Sequence, residues 1–351
     1  MGAMMGITRR QFIRASAIAC ASAAAVTGIA SADPASASEK GNAPESLANP
    51  EPVTEGTYGA LVSSMAIMSD THVDDDAPDY DNNFENALND VVQRWDAVDS
   101  IVLNGDMTNN GYQYQYDILE QRAQAAGLSF PESFTCVMGN HEQMGDGTHA
   151  RESVESLHTN FLERTGASSI YYDRYVGSSH VIALGPDEYV SPYDVTSTDT
   201  FRLSSAQLSW LSTLLDEDAA SGVPSFVFVH EPLLNTVTDS FPGGWGYENS
   251  LENDGDLRSV IFSHPGAILF SGHTHAYPDV VQRSRGANLF VGTGSVAYAY
   301  EQGETYLTDD GSYDSYGWLV RHHEGALEFC MRDFLSHQWV SGSHYIYQLG
   351  Q

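Results

Sequence analysis

Short apolar runs typical of β-strands alternate with segments of helical periodicity along most of the chain. The periodic segments predict helices at Asn83–Trp95, Tyr112–Ala126, Ser204–Leu215 and Leu257–Ser263. The apolar runs predict strands at Ala60–Ser69, Ile101–Leu103, Ser133–Met138, Tyr171–Tyr175, His180–Leu184, Ser225–Val229 and Ala267–Phe270. The rest of the chain is strand-like, at Asn288–Val291, Tyr316–Arg321, Ala326–Asp333 and His344–Tyr347.

An alternating first part followed by a strand-rich end fits an α/β fold of two packed mixed β-sheets flanked by helices. We therefore predict a four-layer α/β/β/α sandwich, in which the strands of the tail complete the second sheet. A hydrophobic content of 42% is sufficient for a large core and excludes wholesale disorder.

The N-terminus has the features of an export signal. Thr8–Arg14 carries consecutive arginines, an apolar stretch follows to Ala30, and small-residue cleavage patterns come next. The arginine pair resembles a twin-arginine signal. The apolar stretch is short and rich in Ala, Ser and Thr, so neither a stable membrane span nor a lipid anchor at Cys20 is favoured.

These features predict a signal peptide at residues 1–32, a flexible linker at 33–56 and a folded domain at 57–351. They also predict passage through the twin-arginine export machinery, which would make the protein secreted, periplasmic or cell-surface.

The charge balance excludes one class of partner. The chain has 15 Lys+Arg and 47 Asp+Glu, a formal net charge of −32. Such a surface repels polyanions, so we expect no nucleic acid polymer as a partner. Among the three cysteines, Cys136 and Cys330 lie in apolar runs and are predicted to be buried free thiols. A single bridge between them remains the alternative.

Polar residues follow five of the apolar runs, where each predicted strand ends. Ligands of open α/β sheets bind at the carboxyl ends of the strands, so we expect these side chains to meet. They supply oxygen and imidazole donors, which suit divalent Mn, Fe, Zn, Ni or Co. Seven donors exceed the needs of one ion, so two ions with one bridging carboxylate are predicted. The seven are Asp70, His72, Asp106, Asn140, His230, His273 and His275.

In this order the residues resemble the sequence blocks of the calcineurin-like metallophosphoesterases, over roughly residues 60–300. The blocks read Asp70-Thr71-His72, Gly105-Asp106 with Gly111, Gly139-Asn140-His141-Glu142, His230, and Gly272-His273-Thr274-His275.

The resemblance implies one role for each residue. Asp70, His72 and His275 would hold the first metal. Asn140, His230 and His273 would hold the second, and Asp106 would bridge the two. His141 would be the catalytic residue, facing the substrate to stabilise phosphoryl oxygens or to protonate the leaving group, and a metal-bridging hydroxide would be the nucleophile.

Departures from the family pattern narrow the range of enzyme classes, and hence of substrates, that the sequence fits. Asn109 stands where protein phosphatases carry the Asp that orients the catalytic His, so it cannot supply a carboxylate to His141 and is a candidate substrate-binding residue with it. Asn109 and His72 also differ from the Tyr and Gly of purple acid phosphatases. Too few residues follow His275 for the large C-terminal domain of exported nucleotidases. The nearest class is that of compact, small phosphodiesterases.

Two aromatic segments are candidates for lining the pocket: the loop Phe241–Tyr247 and the tyrosines Tyr112, Tyr114 and Tyr116. Ordinary packing is the favoured explanation for both. The other histidines show no ligand spacing and are interpreted as structural or surface residues. They are His149, His158, His180, His264, His322, His323, His337 and His344.

The predicted activity is metal-dependent hydrolysis of small phosphate esters, with phosphodiesters favoured over monoesters. The alternative is a non-catalytic metal-binding protein that retains the fold.

Overall fold

The computed structural model describes residues 55–145, 153–188, 202–249, 251–283, 288–301, 304–305 and 313–349. Its helices are α1 Glu55–Tyr58, α2 Pro78–Arg94, α3 Gln113–Ala125, α4 His141–Met144, α5 Val154–Thr165, α6 Ser205–Ser221, α7 Trp245–Glu248 and α8 Asp254–Ser263. Its strands are β1 Leu61–Met68, β2 Ser100–Asn104, β3 Phe134–Val137, β4 Tyr172–Val176, β5 Ser179–Ala183, β6 Ser225–Phe228, β7 Ala267–Ser271, β8 Asp279–Arg283, β9 Asn288–Gly292, β10 Tyr300–Glu301, β11 Glu304–Thr305, β12 Tyr316–His323, β13 Ala326–Asp333 and β14 Gln338–Gln348.

Two six-stranded mixed sheets form the centre of the protein. The first sheet has the order β14-β13-β12-β1-β2-β3, and the second has the order β4-β5-β6-β7-β9-β8. The strands β1, β2 and β3 are parallel, as are β5, β6, β7 and β9. Their carboxyl ends therefore lie at one edge of each sheet.

The predicted four layers are confirmed by three apolar clusters. One lies between the sheets and includes Ile67, Phe228 and Phe270. A second packs α2, α3 and α5 against the outer face of the first sheet. A third packs α6 and α8 against the outer face of the second sheet. Each sheet thus buries both faces, which explains the nearly continuous apolar runs of its parallel strands.

The prediction for the tail was wrong in one respect. The strand β9 does join the second sheet, but β12, β13 and β14 extend the first. The reason is that β12 pairs antiparallel with β1, with Ile67 opposite Trp318. Periodicity identifies a strand but does not identify its partner.

Several elements differ from the sequence-based expectations in extent. Helix α2 begins at Pro78 rather than at Asn83, because proline is favoured in a first turn that also carries Asp79 and Asp81. Helix α6 continues to Ser221, where Gly222 adopts the left-handed conformation that ends it. Helix α5 and strand β8 were not predicted.

The predicted signal peptide and most of the predicted linker lie outside the described residues, and α1 takes the linker's last two positions. No helix among the described residues is long and apolar enough to cross a membrane. Cys136 and Cys330 are both buried and free, as predicted, so they are not bridged to each other.

Candidate metal centre

The predicted ligands lie at the carboxyl ends of β1, β2, β3, β6 and β7, and their backbone is unusual. Eight non-glycine residues among those described have positive φ angles, and five of them are Asp70, His72, Asp106, His273 and His275. Left-handed backbone at residues other than glycine costs on the order of 1–3 kcal/mol each and concentrates at functional sites. The local strain therefore marks the same residues as the sequence motifs do.

The glycines of the motifs allow the loops to approach closely. A side chain at Gly105 would collide with the imidazole of His230, and one at Gly139 would collide with Asp106. These glycines are therefore required by contact with the site itself, and not by the turns alone.

The two carboxylates are fixed by backbone amides of distant blocks. The His273 N–H donates to Asp70 Oδ1 at 3.1 Å, and the His141 N–H donates to Asp106 Oδ1 at 2.9 Å. Each aspartate is thus oriented by the turn that follows a different strand.

Backbone carbonyls also fix the histidine rings. His230 Nδ1 donates to the carbonyl of Asn104 at 2.8 Å, and His275 Nδ1 donates to the carbonyl of Tyr298 at 3.1 Å. Because a neutral imidazole has a single N–H, the Nε2 of each ring then carries a lone pair. The same reasoning applies to His273, whose Nε2 donates to the carbonyl of Asn249 at 2.8 Å.

The remaining ring nitrogens converge on the carboxylates. His275 Nε2 lies 3.0 Å from Asp70 Oδ1 and 3.0 Å from His72 Nε2. His230 Nε2 lies 3.0 Å from Asp106 Oδ2, and His273 Nδ1 lies 3.1 Å from Asn140 Oδ1. Electron-pair donors that face one another at these distances have the arrangement of ligands around a cation.

Three overlapping groups result, each with its donor atoms within 4.8 Å of one another. Two of the three groups share Asp106. The donors are carboxylate oxygen and imidazole nitrogen, so their chemistry fits first-row divalent metals. The groups are Asp70 with His72 and His275, His72 with Asp106 and His141, and Asp106 with His230 and His273.

The charges of the centre shift its pKa values strongly. Burial opposes a charge on the His230 imidazole, but Asp106 and Asp70 raise its pKa to about 10. Burial, together with the charge on His230, lowers the pKa of His273 to about 3. Burial alone would raise the pKa of Asp106, yet His230 and His141 hold it well below its usual range. The carboxylates thus require positive charge beside them, which protons or divalent cations can supply.

The Glu142 side chain links the two loops that follow β2 and β3 and carry candidate metal ligands. Its buried carboxylate accepts the N–H groups of Asp106 and Gly139, each at 2.9 Å, and both the N–H and the hydroxyl of Thr108. Burial and then the Asp106 charge raise the pKa of Glu142 to about 7. Its role in the centre is to position these loops.

The structure shows what orients His141 where the sequence has no acid at position 109. His141 Nδ1 donates to the backbone carbonyl of Asn109 at 2.7 Å, and His141 Nε2 lies 3.8 Å from Asp106 Oδ2. The Asn109 side chain is buried and donates to Asp74 at 2.6 Å. Substrate binding by Asn109 and His141 stays a prediction.

Aromatic side chains flank the centre, and sequence reasoning missed some of them. Tyr298 packs on His275 with ring centroids 4.3 Å apart, although no motif marks it. Trp245, in the loop singled out from the sequence, packs on His273 at 4.7 Å and remains 41% exposed. By contrast, Tyr116 is fully buried in the core, and Tyr114 donates to Asp74.

Comparison with known proteins identifies the family. The profile of the family described as calcineurin-like phosphoesterase matches residues 64–277, which include all seven predicted ligands. The chain belongs to the calcineurin-like phosphoesterase family. Members of this family use divalent metals, in agreement with the donor groups described above.

Similar proteins include phosphatases. A probable purple acid phosphatase of Arabidopsis thaliana is 28% identical over 200 residues, 53% of this chain but only 41% of the length of the plant protein. A dimetal phosphatase of Danio rerio has the same fold, with a TM-score of 0.60 and 14% identity over 83% of this chain and 100% of its own. A purple acid phosphatase of Lupinus luteus gives a TM-score of 0.55 and 15% identity over 83% of this chain and 55% of its own.

Proposed function

We propose that the protein is a metal-dependent hydrolase of small phosphate esters, with phosphodiesters favoured over monoesters. The observation that carries this proposal is the convergence of imidazole nitrogens on Asp70 and Asp106, with three of the rings held by backbone carbonyls. Membership of the calcineurin-like phosphoesterase family supports the same chemistry.

In this proposal the centre holds two divalent cations. Asp70, His72 and His275 would bind one, and Asp106 would be shared by both. His230, His273 and Asn140 would bind the other, supported by the 3.1 Å approach of His273 Nδ1 to Asn140 Oδ1. Two such ions activate water near neutral pH and stabilise the charge that develops on a phosphoryl group.

His141 is proposed as the catalytic residue that touches the substrate. Its Nδ1 proton is engaged by the Asn109 carbonyl, so Nε2 is the atom directed towards the phosphoryl group. In its protonated form Nε2 would donate to a phosphoryl oxygen or give its proton to the leaving group.

The proposed substrate class rests on departures from the relatives. Similarity to a purple acid phosphatase extends over only part of that protein. Here Asn109 replaces the Tyr typical of that class, and its side chain is engaged by Asp74. We therefore favour the compact phosphodiesterase-like class for this chain.

Export is proposed as well, on the arginine pair and apolar stretch of the first 32 residues. The protein would leave the cytoplasm through the twin-arginine machinery and act as a secreted, periplasmic or cell-surface enzyme. Replacement of both Arg9 and Arg10 by Lys should retain the protein in the cytoplasmic fraction, and unchanged export would contradict the proposal.

Hydrolysis of bis-p-nitrophenyl phosphate and of p-nitrophenyl phosphate tests the catalytic proposal. With Mn added, the full chain should hydrolyse the diester faster, and chelation should abolish the activity. His230→Ala should remove both activity and one equivalent of metal, because the centre then lacks the imidazole nitrogen that His230 supplies. His264→Ala, at the end of α8, is the matched control and should behave as the unaltered chain.

Each other outcome contradicts part of the proposal. Activity that survives chelation excludes the metal-dependent reaction. Metal binding with no turnover of either ester would favour a non-catalytic metal-binding protein instead. Faster turnover of the monoester would reverse the assigned preference.

A further inference from the structure

A second group of metal-ligating side chains lies on the outer face of the first sheet, on the strands β12, β13 and β14. Cys330 is directly opposite His344 across β13 and β14, and Glu328 is opposite Arg321 across β12 and β13. Alternation along β13 puts Glu328 and Cys330 on one face. Cys330 packs there against Leu319, away from the cluster between the sheets.

The donor atoms of this group are already close together. The ligand atoms of Glu328, Cys330 and His344 lie within 4.8 Å of one another. His344 Nε2 is 2.8 Å from Glu328 Oε1, and Cys330 Sγ is 3.9 Å from the same oxygen. These separations are similar to those between neighbouring ligands of a tetrahedral cation.

His323 adds an independent observation. It is 4% exposed, and neither ring nitrogen has a hydrogen-bond partner among the residues that the structure describes. Its Nε2 lies 3.6 Å from Glu328 Oε2. Buried polar atoms are rarely left without a partner, so this imidazole beside Glu328 indicates a group that the described residues do not supply.

We propose that Glu328, Cys330 and His344 form a site for one divalent cation of the zinc type, with His323 lying beside the Glu328 carboxylate. Thiolate sulfur, imidazole nitrogen and carboxylate oxygen are all donors that bind Zn²⁺ in proteins. The sulfur ligand also distinguishes this site chemically from the metal centre described above, whose proposed ligand atoms are oxygen and nitrogen only.

Charge and proton balance are consistent with this site. Arg321 Nη1 lies 2.9 Å from Glu328 Oε2, which leaves the other carboxylate oxygen for a cation. Burial, followed by the Glu328 charge, raises the pKa of the Cys330 thiol, so the thiol keeps its proton in the metal-free protein. Binding of the cation would form a metal–sulfur bond and release that proton to solvent.

The site is remote from the proposed catalytic centre. Arg321 is opposite Ser64, near the amino end of β1, whereas Asp70 follows the carboxyl end of this strand. Six residues of strand span about 20 Å. The His344 side chain is 32% exposed and provides the route of entry from solvent. Cation binding here would hold β13 and β14 together.

Titration of the purified full chain with Co²⁺ tests the proposal, because a cobalt–thiolate bond absorbs in the near ultraviolet and the catalytic donors include no sulfur. Co²⁺ added beyond the capacity of the catalytic centre should produce this band, with one equivalent bound at the thiolate site, and excess Zn²⁺ should remove it. Cys330→Ser should abolish the band and lower bound metal by one equivalent. Cys136→Ser and Cys20→Ser, the matched cysteine controls, should retain both.

His344→Gln is the second variant, because its partly exposed ring makes it tolerant of substitution. It should weaken cobalt binding at the thiolate site by more than about tenfold, the loss typical of removing even a supporting contact. No thiolate band at saturating Co²⁺, a band that persists in Cys330→Ser, or unchanged affinity in His344→Gln would overturn the proposal.

Discussion

At the scale of single residues, three imidazole rings of the candidate metal centre are oriented by backbone carbonyls. Asp70, His230 and the other ligand candidates follow apolar strands in recognisable motifs, so they were found from the sequence. The carbonyls of Asn104, Asn249 and Tyr298 fix three of the rings, yet a carbonyl is common to every residue and gives no sequence signal. Ring orientation, and with it the direction of the lone pairs, therefore required the fold.

His141 is the residue for which this orientation has a kinetic consequence. We expect His141→Asn to lower kcat by about 10²–10⁴-fold, the range for loss of a general acid or base. Metal content should be unchanged, because the residue is proposed to touch the substrate. Steady-state kinetics with metal analysis of the same samples measures both quantities.

His264→Asn is the control for the loss of a histidine as such. Loss of metal in His141→Asn would instead make His141 a ligand, as its group with His72 and Asp106 would allow. A kcat within a few-fold of the unaltered value would remove it from the reaction.

At the scale of helices and strands, prediction succeeded where the local pattern was strong. Helix α5 was missed because it has only two large, fully buried apolar residues, Leu157 and Phe161. Ser153 and Gly166 nevertheless provide cap signals at its two ends. Strand β8 was missed because only two of its residues, Val280 and Val281, are apolar, and they lie between Asp279 and the polar pair Gln282 and Arg283. Two apolar residues carry little periodic signal.

Helix α4 has four residues, yet it links the loops that follow β2 and β3 through Glu142. Glu142→Ala would leave the N–H groups of Asp106, Thr108 and Gly139 buried without their acceptor. We expect the free energy of unfolding to fall by about 3 kcal/mol or more, since each unsatisfied buried donor costs about 1–3 kcal/mol. Metal content should fall in parallel.

Denaturant unfolding and elemental analysis measure the two effects. Gln143→Ala, the neighbouring position on α4, should change stability by less than about 1 kcal/mol. An Ala variant of Glu142 with full stability and full metal content would show that the loops hold their positions without this carboxylate.

At the scale of the whole molecule, the layers followed from the order of the elements, whereas the assignment of strands to sheets did not. Strand β12 reads as an ordinary apolar strand, and nothing in its residues specifies that its neighbour is β1. Composition also matters at this scale, because a chain with a formal net charge of −32 carries a centre that is proposed to bind anionic esters.

Long-range repulsion between this charge and the substrate should make the reaction sensitive to salt. We expect kcat/KM for bis-p-nitrophenyl phosphate to rise by about threefold or more as NaCl increases from low to physiological ionic strength, because screening removes the repulsion. The kcat at saturating substrate should change less. Choline chloride is the control for a specific effect of sodium, and a flat or falling kcat/KM would contradict the expectation.

The pairing of β1 with β12 also constrains when the molecule can become active. Strand β1 leads directly into Asp70 and His72, and its antiparallel neighbour β12 follows all the ligand motifs in the chain. A nascent polypeptide that lacks β12 would present β1 as an unprotected edge, open to pairing with other chains. Biosynthesis must therefore proceed past β12 before Asp70 and His72 acquire their native framework.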